Sequence, residues 1–314
     1  MRPLTLSVIA ASNRDFSCLE EKLEEVVQWI EIAQGQGADL IVLPECLNRY
    51  EGDGVGNAKA RPYSEQIVED WRGTFKPLLD CMRPGRAAAA LSFIHRRENG
   101  SLANSFFVVE PDGSVAWRYD KCWPTPQELE AGVQPGREVS GLWRGIRLGG
   151  AICFDSCFPE HFQRLADELV EVVVFPSLWP GGTQLEAWCK LYSMRVALSY
   201  PAWSRIIDLD GKDCAAGGYR NETLRFGFGA PVYTATLNLD RLSLYGNHNQ
   251  EQMIALQKRY GHQVRLTFDQ ANCLWFLESL DPSLSESALV EEFGLINSRD
   301  YFNACRQRVR EAAS

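Results

Sequence analysis

The chain has 314 residues, 45% of them apolar, and carries 32 Lys and Arg against 41 Asp and Glu, a formal net charge of −9. That supplies one large core or two modest ones, and an acidic balance without a long basic patch argues against nucleic acid as a partner. No apolar run reaches the roughly 18 residues of a membrane span, and the ten cysteines form neither a regular framework nor a C-x-x-C pair, so a reducing cytoplasm is the simplest home.

Leu4–Ala11 reads as a first strand, since its apolar run is too short for the core of a signal peptide. A helix follows from Cys18 to Ala33, with Leu19, Leu23, Val26, Val27 and Ile30 along one face, and Gly35 and Gly37 end it. The continuous run Ala38-Asp-Leu-Ile-Val-Leu, followed by Pro44-Glu45, predicts a strand buried on both faces. Residues 50–63 are Gly- and charge-rich and read as a surface loop, and a helix is expected from Ser64 to Leu79. Arg86–His95 is an alanine-rich strand whose small side chains let a helix approach closely. Leu102–Glu110 and Val115–Tyr119 form a hairpin-like pair about Pro111-Asp112-Gly113.

After Gly136, Val139–Leu142 and Ile146–Ile152 return to the sheet and deliver Cys153 to a strand end. A helix is expected from Pro159 to Leu169, then a strand Val170–Phe175, a loop through Gly182, a helix over 183–198 and a strand Tyr200–Leu209. Asp210-Gly211 marks a turn, and Phe226–Leu237 reads as strand again. In the tail, His262–Phe268 and Cys273–Glu278 read as strands, Ser283 and Glu286 as a capping box for a helix ended by Gly294, and Asp300 as the cap of a last helix over Tyr301–Ala312.

Two hairpin-like pairs interrupt the βαβ rhythm. The pattern therefore predicts an α/β fold of four layers, an α-β-β-α sandwich of two mixed sheets with outer helices, rather than one doubly wound sheet. Residues 1–246 are expected to form this body, and 247–314 an extension packed on it or on a partner subunit. No G-x-G-x-x-G follows the first strand and no P-loop pattern occurs. The four histidines match no metal-binding spacing, so neither cofactor nor metal is expected.

Glu45, Lys121 and Cys153 follow strand ends in three separate parts of the chain, where catalytic groups of α/β proteins gather. Singly each has a plain reading: a glutamate reaching water, a surface lysine, a packed thiol. As a set they meet the needs of covalent acyl transfer. The thiol attacks a carbonyl carbon, the carboxylate takes its proton and later activates water, and the ammonium with a backbone amide holds the oxyanion. Nearby amides and Lys121 are expected to depress the thiol's pKa. His161 is the one histidine near Cys153 in sequence and reads as a packing or surface residue.

Leu43-Pro44-Glu45, Tyr119-Asp120-Lys121 with Trp123-Pro124, and Ile152-Cys153-Phe154-Asp155 with Phe158-Pro159-Glu160 together resemble the nitrilase superfamily of carbon–nitrogen hydrolases. Asn104-Ser105, Pro135-Gly136, Pro176-Ser177 with Trp179, and Met194-Arg195-Val196-Ala197 add to the likeness, which runs from residue 4 to about 240. The resemblance implies a Glu45–Lys121–Cys153 triad and a homodimer or larger homo-oligomer built through helices. It also implies a second glutamate, for which Glu128 is preferred and Glu130 is the alternative. Phe154-Asp155, where true nitrilases tend to carry Trp-Glu, favours a small amide over a nitrile; Ser156-Cys157 weakens an N-carbamoyl substrate. Phe154, Trp179 and Tyr200 are candidate walls of the substrate pocket. Acyl transfer to an amine and a catalytically silent binding protein are the competing readings.

Overall fold

The computed structural model describes residues 1–10, 16–50, 62–218 and 231–313. The surface loop expected over 50–63 therefore lies mostly outside the described residues, as does the start of the strand expected at Phe226–Leu237. In chain order the elements are β1 (Pro3–Ile9), α1 (Leu19–Gly35), β2 (Leu40–Val42), β3 (Ile67–Val68), α2 (Trp71–Thr74), α3 (Lys76–Met82), β4 (Ala88–Arg96), β5 (Leu102–Val109), β6 (Val115–Asp120) and α4 (Pro126–Glu130). Then come β7 (Ser140–Trp143), β8 (Ile146–Gly150), α5 (Pro159–Asp167), β9 (Val172–Pro176), α6 (Gln184–Tyr192), β10 (Arg195–Ser199), β11 (Ser204–Ile207) and β12 (Asp213–Gly217). The chain ends with β13 (Val232–Asn238), β14 (Arg241–Tyr245), α7 (Gly246–Tyr260), β15 (Val264–Asp269), β16 (Leu274–Ser279), α8 (Glu286–Phe293) and α9 (Ser298–Ala313).

One mixed sheet runs β13-β1-β2-β4-β5-β6, with β3 paired to β4; the second runs β12-β11-β10-β9-β8-β7. Period-two alternation sends Leu6, Val8, Leu40, Val42, Phe106, Val108 and Tyr119 inward, against Leu148, Val172, Val174, Ala197 and Ile206 of the facing sheet. The opposite face of the first sheet takes α1 and α3 through Leu23, Val26, Ile30, Leu78 and Leu79. The second sheet takes α5 and α6 through Phe162, Leu165, Leu185 and Trp188. This is the expected four-layer sandwich, and residues 40–42 are indeed buried on both faces. The alanines in and just before β4 serve both layers: Ala88 and Ala90 face the other sheet, and Ala87 and Ala89 face the helices.

Several boundaries differ from expectation. The helix expected over 64–79 is replaced by a single turn at Tyr63–Glu65, β3, and the short helices α2 and α3. Asp70 caps a restart by accepting the Gly73 amide at 3.0 Å, and a proline in the first turn of α3 starts the second piece. The helix expected over 183–198 stops at Tyr192, where Ser193 turns left-handed (φ 54). Residues 195–199 instead form β10, parallel to β9 and buried throughout, because their apolar run fills the space between both layers. The strand expected at Tyr200–Leu209 shrinks to β11. In the tail Ser285, not Ser283, caps α8 by accepting the Ala288 amide at 3.2 Å, while Ser283 bonds Asp281. The last helix begins at Ser298, with Asp300 in its first turn. α7 was not expected at all.

β14 pairs with β16, and β16 with β15, so strands on both sides of residue 247 share a three-stranded sheet. Leu242, Leu244, Met253, Leu256, Leu277, Leu289 and Leu295 form its core beneath the terminal helices. Among the described residues no helix is long and apolar enough to cross a membrane.

Candidate active site

The parallel strands aim three connections at one place. β2 leads through Leu43-Pro44 to Glu45, β6 hands over to Lys121, and β8 leads through Ala151-Ile152 to Cys153. Cys153 is left-handed (φ 47) and opens a short turn, Cys153–Cys157. That conformation costs a non-glycine residue on the order of 1–3 kcal/mol, and Asp155 holds it in place. The fully buried Asp155 carboxylate accepts the Ile152 and Trp123 amides, each at 2.7 Å, and the Tyr119 hydroxyl at 2.6 Å. It thereby ties the turn bearing the thiol to the loop bearing the lysine. Gly150 makes room for the Tyr119 ring, since a Cβ there would lie 2.1 Å from it. His161 is buried and donates through Nε2 to the Gly150 carbonyl at 2.7 Å, so it packs the backbone, as expected.

Lys121, 1% exposed, donates to Glu45 Oε1 at 3.2 Å and to both oxygens of Glu128, at 3.1 and 2.9 Å. Glu45 Oε2 accepts the Leu178 amide at 3.0 Å. A reciprocal cap fixes Glu128 on α4: its amide donates to Thr125 Oγ1 at 3.3 Å, and its Oε2 accepts the Thr125 amide at 2.6 Å. Glu128 is 1% exposed, whereas Glu130, half a turn on, faces solvent. The structure thus brings Glu128, and not Glu130, into the cluster. Asn104 was not expected among the site residues. Its Nδ2 donates to Glu45 Oε1 at 2.8 Å and to Glu128 Oε1 at 2.6 Å, while its buried Oδ1 has no hydrogen-bond partner among the described residues. The signal was present in the sequence: an asparagine inside the apolar run of β5 is costly unless polar partners await it.

Two carboxylates and one ammonium leave a buried net negative charge. Burial alone would lower Lys121, but Glu45 and Glu128 outweigh it and hold the ammonium well above its ordinary range. Burial likewise pushes Glu128 up, yet Lys121, the Thr125 amide and Asn104 bring it below the usual carboxylate value. The thiol departs from expectation. Burial, followed by the Glu45 charge, pushes Cys153 well up; Lys121 and the Leu178 amide offset this only in part. Burial and the Glu45 charge together favour the neutral thiol over the thiolate at rest.

Of the candidate pocket walls, Phe154 is half-buried and meets Phe158 edge-on (5.2 Å, 87°), and Phe158 also stacks on Trp123 (3.9 Å, 9°). Trp179 is 44% exposed and directly follows Leu178, whose amide serves the cluster. Tyr200 packs at the margin of the core beneath α5 and α6. Among the described residues no group of three or more His, Cys, Asp or Glu is placed to hold a metal ion.

A four-layer sandwich whose strand ends gather a cysteine, a lysine and two glutamates is the arrangement that the resemblance to the nitrilase superfamily implies. The carbon–nitrogen hydrolase family model matches residues 9–203, and the chain belongs to that family. It is 34% identical to an (R)-stereoselective amidase of a Pseudomonas species over 139 residues, 43% of this chain and 47% of that protein. It is 27% identical to the omega-amidase YafV of Escherichia coli K12 over 182 residues, 57% of this chain and 66% of that one. The chain thus spans from about half to just under two thirds of the length of these relatives. The fold is similar to that of Saccharomyces cerevisiae Nit3, a member of branch 10 of the superfamily, with TM-score 0.59 and 17% identity over 83% of this chain and 95% of that one.

Proposed function

We propose that the protein hydrolyses the carbon–nitrogen bond of a small amide through a cysteine thioester. The observation that carries this is the convergence of three strand ends on one buried carboxylate, Glu45, which accepts from the Lys121 ammonium at 3.2 Å and whose charge acts on the Cys153 thiol. Cys153 Sγ attacks the carbonyl carbon as its proton passes to Glu45, and Lys121 Nζ donates to the oxygen that gains charge. Collapse of the tetrahedral adduct breaks the C–N bond, and the departing nitrogen takes the proton from Glu45. Water then attacks the thioester carbonyl while Glu45 accepts a proton from it; the acid leaves and the thiol is restored. Glu128 holds Lys121 and touches no reacting atom. The names of the relatives, amidases in both cases, favour an amide over a nitrile, and an N-carbamoyl compound is the second substrate to test.

The experiment is ammonia release from small amides, ω-amidated dicarboxylates, N-carbamoyl compounds and nitriles, run beside Cys153→Ala. Turnover that falls by on the order of 10³ or more in the variant, with an acyl adduct trapped on Cys153 by mass spectrometry, is the expected outcome. Turnover that survives the substitution refutes the thiol mechanism. Silence on the whole panel, with no acyl adduct on Cys153 in mass spectra, refutes the hydrolase reading.

A further inference from the structure

Beside β6, and lined by none of Glu45, Lys121, Glu128 or Cys153, a cleft of about 620 Å³ opens between the turn after β4 and the segment 134–138. Arg97, Arg118, Asp120, Gly136, Arg137 and Glu138 are among its walls. Asp120 forms its floor and is fully engaged. Its Oδ2 takes Arg97 Nε at 3.0 Å, and its Oδ1 takes Arg118 Nε at 3.2 Å and the Ser105 hydroxyl at 2.6 Å. Arg97 spends its other groups on Ser101 Oγ at 3.1 Å and the Gln134 carbonyl at 3.2 Å, so it braces the walls. Arg118 is different: only its Nε is used, and its two terminal amino groups have no protein acceptor among the described residues. The Arg137 side chain, exposed on the opposite wall, has no protein partner there either.

Three guanidinium groups against the carboxylates of Asp120 and Glu138 leave this cleft with a positive balance, on a protein whose net charge is −9. Planar guanidinium forks match the paired oxygens of carboxylate and phosphate groups. We propose that the cleft binds a small oxyanion, a carboxylate or phosphate borne by a polar molecule, gripped between Arg118 and Arg137. The site is set one peptide away from Lys121. The Gly136 amide on its wall donates to the Lys121 carbonyl at 2.8 Å, and the segment from Lys121 to Gly136 carries Glu128 as well.

Calorimetric titration of the full chain at low ionic strength, with inorganic phosphate in one arm and citrate in the other, tests this. Saturable binding of at least one is expected, weakened about tenfold for each guanidinium removed in Arg118→Gln and Arg137→Gln. The arm that binds more tightly identifies phosphate or carboxylate as the recognised group. Arg137→Gln, at an exposed position without a protein partner, preserves the fold and must weaken binding by itself. The absence of saturable binding in both arms, or an affinity unchanged in the double variant, overturns the proposal.

Discussion

Asn104→Ala removes the uncharged side chain that, beside Lys121, bonds both glutamates of the cluster. The variant removes two charge-assisted hydrogen bonds, at 2.8 and 2.6 Å, from carboxylates that are almost wholly buried. Each such bond contributes about 1.5–3 kcal/mol, and deleting the unpartnered Oδ1 returns about 1–3 kcal/mol of desolvation cost. The expected net loss of stability is therefore about 2–3 kcal/mol, read as a lower urea midpoint at unchanged slope. Glu45 remains held by Lys121 and Leu178 but is free to swing, and a misplacement of about 1 Å costs on the order of 10² in rate. That loss should fall on kcat, with KM within about threefold, because the substrate does not touch Asn104 in the proposed chemistry. Acid stability supplies a third readout. Glu128 lies below its unfolded pKa, so its contribution is full above that unfolded value and is lost as pH falls through the folded one. Removing one of the donors that hold it down raises the folded value toward the unfolded one, so this contribution shrinks and its loss on acidification is complete at higher pH. A variant within about 0.5 kcal/mol and threefold in kcat of the parent, or one impaired in KM alone, refutes the reasoning.

Glu128→Gln and Glu130→Gln separate the two candidates for the second glutamate: the first should lower kcat on the order of 10²-fold or more, and the second, on an exposed side chain, should stay within about twofold. Kinetics that rank the pair the other way refute the assignment of Glu128. Asp155→Asn keeps the shape but turns an amino group toward the Ile152 or Trp123 amide; a stability loss of about 2–4 kcal/mol with a kcat-dominated defect is expected, and parental melting and turnover would dismiss the tether. Because burial pushes the Cys153 thiol up, its alkylation by iodoacetamide should still accelerate above about pH 9; a plateau at neutral pH would show a preformed thiolate.

What the sequence makes legible follows from where the physical signal is local. Residues 40–42 and the strand end at Cys153 are readable because a continuous apolar run needs burial on both faces, and the residue after it inherits a strand-end position. The segment 183–198 misleads for the same reason. Leu185 and Trp188 keep helical spacing, but the break at Ser193 is a left-handed serine with no glycine or proline to mark it, and the following apolar run fits either state until the neighbouring strand is known. α7 carries few apolar residues; it is held by burial of Met253 and Leu256 and by bonds of Asn249 to the Tyr245 carbonyl just before the helix and to the distant Ile296 carbonyl. In the site, Glu45, Lys121 and Cys153 are visible as charges and a thiol at strand ends. Choosing Glu128 over Glu130 requires the face that α4 presents, and that face is set by the cap at Thr125. The sign of the thiol's shift is least accessible of all. Pairing with Lys121 is a property of two residues and can be guessed from motif positions; the desolvation that overrides it is a property of both sheets closing over the site. A lysine and a cysteine at neighbouring strand ends therefore say little about thiolate character, because burial and the Glu45 charge outweigh the lysine.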